Sequence, residues 1–223
     1  MIFWTSVFFS LFCILKTKPT HRMNAWDFLF FLSSWQMFNL GIWHGYLAAT
    51  RVSDPYRIAS SICLLLTFLY LLRRGLNPDM GISGTVFREY LVWTGFLCML
   101  IPVGLGIGFL TWNPRLDAGF IGNKILDYFF FVAPTEELVF RAFVFSLLKR
   151  TFGNLTSGAL TTILFATIFS HITDGHFPNW TYVGMAFAAG GVYTASYHRT
   201  DNLLVPILLH GTVDSVWRIF FSP

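Results

Sequence analysis

Charge is scarce in this chain: only 12% of its 223 residues are Asp, Glu, Lys or Arg. A soluble domain carries about twice that share, so an ordinary water-soluble globule is excluded. Cysteine is scarce as well. Cys13, Cys63 and Cys98 sit singly in apolar runs with no CxxC pair, so they are read as buried free thiols and say little about redox compartment. The first apolar segment lacks a basic leader and a small-residue cleavage site, which argues against a secretory signal peptide. No internal repeat, low-complexity tract or long polar stretch is present. What abounds is apolar surface: 55% of residues are hydrophobic and 26 are phenylalanine. The expectation is an all-α, polytopic transmembrane helix bundle that uses the whole length. The net charge of +4 is accordingly a matter of membrane orientation and gives no sign of nucleic-acid binding.

About 20 apolar residues cross a bilayer as a helix. By that measure eight segments qualify: 2–15, 25–49, 57–72, 90–111, 125–148, 155–173, 180–197 and 203–221. The first and third are short, so six to eight spans are expected. Basic residues sort between alternate loops. Lys16, Lys18, Arg22, Arg73, Arg74, Arg88, Lys149, Arg150 and Arg199 fall on one side, and Arg51, Arg57, Arg115 and Lys124 on the other. The richer side is expected to be cytoplasmic, which leaves both termini on the opposite face. The seventh segment is rich in small residues (Gly184, Ala186, Ala188, Ala189, Gly190, Gly191) and reads as a helix-packing face.

Against this background two adjacent glutamates stand out, in Phe131-Val132-Ala133-Pro134-Thr135-Glu136-Glu137-Leu138-Val139-Phe140-Arg141. A carboxylate at membrane depth costs roughly 2.5–3.5 kcal/mol on insertion scales, so such residues mark functional sites by default. On a helix Glu137 and Arg141 lie about 40° apart and pair, whereas Glu136 lies about 140° from Arg141. Glu136 is therefore the glutamate left to address the bundle interior as a general base. Pro134 cannot donate to the Phe130 carbonyl, and a kink is expected just before the pair. His171 ends the sixth segment. His210 lies inside the last, with Asp214 one turn on and on the same face. All of these groups must face inward and satisfy one another, because lipid offers no partners.

Glu136-Glu137-x-x-x-Arg141, then His171, then His210-x-x-x-Asp214 resembles the CAAX-protease and bacteriocin-processing family of intramembrane proteases, which includes the type II CAAX prenyl endopeptidases. The resemblance covers roughly 88–221. It divides the chain into 1–87, N-terminal spans without motifs, and 88–223, the catalytic helix bundle. It implies that Glu136 activates water, that Glu137 and Arg141 shape the site, and that His171, His210 and Asp214 bind the water and steady the oxyanion. Two departures from the family pattern are visible: Thr167 stands where an aromatic precedes the histidine by four, flanked by Phe165 and Phe169, and Ala142 stands where glycine commonly follows the arginine.

No HExxH or HxxEH pair occurs, so the usual zinc-protease arrangement is missing. Glu136, His171 and His210 could still hold a metal such as zinc, which would make the chain a metalloprotease. The metal-free alternative, in which the glutamate activates water and polar side chains hold the oxyanion, is preferred. The implied activity is endopeptidase cleavage of a membrane-embedded or lipid-anchored peptide, with a prenylated CaaX tail as one candidate substrate. The rival readings are a proton-coupled transporter and a catalytically idle scaffold or immunity protein. An integral, multi-pass location follows, with bacterial plasma membrane and eukaryotic endomembrane both open. His44 and His176 read as structural or solvated. Asp127 reads as a helix N-terminal charge. Asn179-x-Thr181 matches a glycosylation acceptor pattern too close to the membrane to serve.

Overall fold

A computed structural model describes residues 2–18, 24–42, 55–168, 171–172 and 177–222. His44 and His176 lie outside the described residues, as do the ends of the segments 25–49 and 155–173. The described chain is helical almost throughout, so the all-α class holds. Its helices are α1 (Ile2–Lys16), α2 (Ala25–Ile42), α3 (Pro55–Arg74), α4 (Gly84–Cys98) and α5 (Leu100–Gly106). A long helical run follows: α6 (Ala118–Asp127), a π-helical turn (Tyr128–Val132), α7 (Ala133–Glu137), a second π-helical stretch (Leu138–Phe145) and α8 (Ser146–Phe152). Then come α9 (Asn154–Ala166), α10 (Trp180–Thr200) and α11 (Leu204–Phe220). Two-residue strands β1 (Thr111–Trp112) and β2 (Phe221–Ser222) pair antiparallel.

Each of the eight apolar segments carries helix. Among the described residues one helical stretch, Gly84–Gly106, is long and apolar enough to cross a membrane, and Phe3–Lys16 is a shorter apolar helix. Helix starts differ from the hydropathy edges because polar caps override them. Ser83 accepts from Val86 N and opens α4, and Asp117 accepts from Phe120 N at 2.7 Å and opens α6. Asp127 is therefore no N-terminal charge. It sits at the end of α6 with Lys124 3.6 Å away, and Asp117 fills the capping role.

Two compact units partition the chain. The first comprises Met1–Asn77 and Pro134–Gly153. Within it Ser10 and Ser33 join α1 to α2 through their hydroxyls at 2.8 Å, and Cys63 donates to the Ser34 carbonyl. Arg74 is no loop charge: it is fully buried and grips Asp27 through Nε at 2.9 Å and Nη2 at 3.0 Å. Tyr70 donates to Asp27 Oδ1, the oxygen that Arg74 Nε also faces, at 2.7 Å, and Thr17 donates to Tyr70. A buried pair is tolerated when further hydrogen bonds satisfy it, and the Asp27 carboxylate also takes Asn24 N. Above this network Phe30 stacks on Tyr70 (3.9 Å), and Phe143 meets both rings edge-on. Phe140 likewise packs on Phe31 and Trp35. The helix bearing Arg141 is thus held by aromatic contacts on either side of that residue.

The second unit comprises Pro78–Ala133 and Asn154–Pro223. Small residues let α9 and α10 approach closely, as their composition predicts. Added Cβ atoms at Gly158 and Gly191 would touch Thr194 and Thr162 at 3.7 and 3.9 Å, and those threonines hydrogen-bond each other. Asn179 is spent as the cap of α10, accepting from Tyr182 N at 2.9 Å. Helix α4 buries Val86, Glu89 and Leu97 and presents Phe87, Leu91, Val92, Phe96 and Met99 outward. Cys98 shares that outer face and is exposed, against the expectation for all three thiols; Cys13 and Cys63 are buried.

Candidate active site

Glu136, Glu137 and Arg141 lie in the first unit. Glu136 is 5% exposed, and Glu137 and Arg141 are wholly buried. Arg141 Nη1 reaches Glu137 Oε1 at 3.0 Å, the i,i+4 pair that helical geometry demands. The backbone around the pair differs from a simple proline kink. Pro134 follows a π-helical turn closed by Ala133 N on the Tyr128 carbonyl, and a second π stretch begins at Leu138. π-helical insertions of this kind recur at functional sites, because they re-aim side chains without breaking the helix. Thr135 donates to the Ser60 carbonyl at 3.4 Å, and Cys63 lies within electrostatic reach of Glu136. Helix α3, which carries no motif, therefore lines the back of the glutamate pair. Ala142 takes the usual glycine position and is buried without difficulty.

His171, His210 and Asp214 lie in the second unit. His210 Nε2 faces Asp214 Oδ2 at 3.4 Å. Tyr193 stacks on the His210 imidazole, centroids 4.9 Å apart and planes 17° apart. Phe165 touches both histidines edge-on, at 5.2 Å from His171 and 5.7 Å from His210. An aromatic two residues before the expected position is thus in contact with both histidines. Helix α9 stops at Ala166, and exposed Thr167 donates to the Ile163 carbonyl. Phe169 lies outside the described residues. Tyr182 closes the other side of His171 at 4.8 Å. Nδ1 of His171 is buried and makes no hydrogen bond among the described residues.

Further residues escape a motif reading. Tyr90 of α4 and Thr212, inside the His210-to-Asp214 turn, share a hydrogen bond of 2.9 Å. Gly211 admits the Phe129 ring: a Cβ there would lie 2.9 Å from Phe129 Cδ1. Tyr193 and Tyr182 carry no sequence signal beyond being aromatic in apolar helices. Among the described residues no three His, Cys, Asp or Glu side chains form a group fit to hold a metal ion.

The search of curated proteins and that of solved structures gave no match. A family model does match. Residues 122–216, which include Glu136, Glu137, Arg141, His171, His210 and Asp214, match the family described as type II CAAX prenyl endopeptidase Rce1-like, and the resemblance carried by the three motifs is thereby shown.

Proposed function

We propose that the protein is an intramembrane endopeptidase that hydrolyses a peptide bond of a membrane-associated substrate, working within a bundle of six to eight membrane spans. Support comes above all from one observation: a single family-matched segment contains all six polar motif residues, and the glutamates and the arginine in it are buried. Buried charge of this kind is costly and is kept for function.

In the proposed reaction Glu136 takes a proton from water as the hydroxide oxygen bonds to the scissile carbonyl carbon. The carbonyl electrons move onto oxygen, and the imidazole N–H groups of His171 and His210 donate to that oxyanion. Asp214 orients His210, and Arg141 holds Glu137 so that the glutamate helix keeps its shape. Collapse of the tetrahedral species breaks the C–N bond, and the proton held by Glu136 passes to the leaving amine. No step is routed through a metal. The proposed substrate is a peptide delivered by the bilayer, such as a prenylated CaaX tail or a membrane-borne leader.

The test is single-turnover cleavage of a prenylated CaaX peptide by the full chain in liposomes. Wild type is expected to cleave and Glu136→Gln to be silent at equal folded concentration. Proton movement across the liposome without any cleavage would transfer the assignment to a proton-coupled carrier.

A further inference from the structure

A charged corner of the second unit takes no part in the proposed hydrolysis. Glu89 of α4 is 3% exposed. Arg88 Nη2 lies 3.1 Å from its Oε1, and Arg199 Nε, on the last turn of α10, lies 3.0 Å from its Oε2. The two arginine side chains nonetheless remain 69% and 63% exposed. One carboxylate cannot neutralise two guanidiniums, so the cluster keeps a net positive charge. Each guanidinium has five donors, and Glu89 engages one nitrogen of each. The carboxylate of Asp79, in the loop before α4, is occupied by Gly81 N and Asn202 Nδ2.

The surroundings are apolar. Ile82, in the same loop, is 91% exposed, and Phe87 is 63% exposed. Leu91 and Val92 lie one turn below Arg88 and also face outward. They belong to Gly84–Gly106, the helical stretch long enough to cross a bilayer. Cations at the end of such a helix sit at headgroup level, directly above a column that only hydrocarbon would cover.

We propose that Arg88 and Arg199, spaced by Glu89, clamp the phosphate of an anionic phospholipid whose acyl chain runs down α4 over Leu91 and Val92. Arginine suits this task because its planar fork matches phosphate oxygens. Glu89 is the spacer that keeps two like charges side by side without a ligand.

The full chain in phosphatidylcholine nanodiscs doped with phosphatidylglycerol tests the clamp, with retained lipid read by native mass spectrometry. Wild type is expected to carry phosphatidylglycerol through delipidating washes, and R88Q/R199Q to retain about thirtyfold less. Because that variant strands a buried carboxylate, R88Q/E89Q/R199Q serves as the partner that folds without one, and it should lose the lipid equally. Equal retention by wild type and the triple variant would overturn the proposal. A second arm adds inorganic phosphate to protein purified without anionic lipid. Phosphate-dependent thermal stabilisation of wild type alone, with no difference in retained lipid, would assign the clamp to free phosphate and overturn the lipid reading.

Discussion

The Tyr193 ring lies flat against the His210 imidazole, with centroids 4.9 Å apart, so a helix with no catalytic motif fixes the plane of a proposed catalytic side chain. Tyr193→Phe preserves the stacked face and is expected to keep cleavage close to wild type. Tyr193→Ala removes it and leaves a cavity beside a buried histidine, which should cost about 3–5 kcal/mol of stability and most of the activity. Thermal unfolding in detergent, read beside single-turnover cleavage, checks both.

Phe165 and Thr167 compete for the role of the aromatic that precedes the histidine. Phe165, which touches both His171 and His210, should tolerate no truncation: Phe165→Ala is expected to lose about 3 kcal/mol or more. Thr167→Ala, at an exposed position, should stay within about 0.5 kcal/mol of wild type. The reverse ranking in a denaturation series would return the role to position 167.

Glu136→Gln should abolish proteolysis while stability stays near wild type, since glutamine keeps the shape but takes no proton from water. Glu137→Gln should lose stability as well as rate, because the buried Arg141–Glu137 ion pair is then broken, a change worth about 3–5 kcal/mol. Arg141→Lys should also be harmful, as a point charge replaces a planar fork. Folded yield and cleavage of the three variants, compared at equal protein, would refute this division if Glu136→Gln cleaved or Glu137→Gln were as stable as wild type.

Gly211→Ala places a methyl group against Phe129, where the gap allows 2.9 Å. Overpacking of this kind costs about 1–3 kcal/mol, and the shift should fall on the helix carrying His210. The pairing of Gly211→Ala with Phe129→Leu is expected to recover stability in a double-mutant cycle.

Lys149 and Arg150 are expected on the cytoplasmic face, with both termini opposite. A cysteine at position 150 in a chain lacking Cys13, Cys63 and Cys98 should be labelled only from the inside. Removal of Cys98 is essential to the measurement, because that thiol is exposed.

Each apolar segment found by hydropathy carries helix among the described residues, since an apolar run of sufficient length has few other solutions. Most of α6 (Ala118–Asp127) falls outside those segments, because its start is set by the Asp117 cap. The i,i+4 spacing located the Glu137–Arg141 and His210–Asp214 pairs. Three things were beyond it. The π-helical stretches around the glutamates change the angle per residue, and no composition signal marks them. The position of Phe165 depends on where α9 ends, a tertiary matter that shifts an aromatic by two residues. The Asp27–Arg74 pair joins residues 47 apart in the chain, and each alone reads as an ordinary loop-side charge.

The aromatic seat that Phe30, Tyr70 and Trp35 provide for Phe140 and Phe143 has a consequence for how the gene can be cut. Helices α2 and α3 supply ring contacts to the glutamate segment through Phe30, Phe31, Trp35 and Tyr70, so its packing is expected to depend on them. A fragment starting at residue 78 should therefore be synthesised yet remain protease-sensitive around residues 134–153. Co-expression of residues 1–77 as a separate polypeptide should restore it, so that a protein encoded by one reading frame would be reconstituted from two.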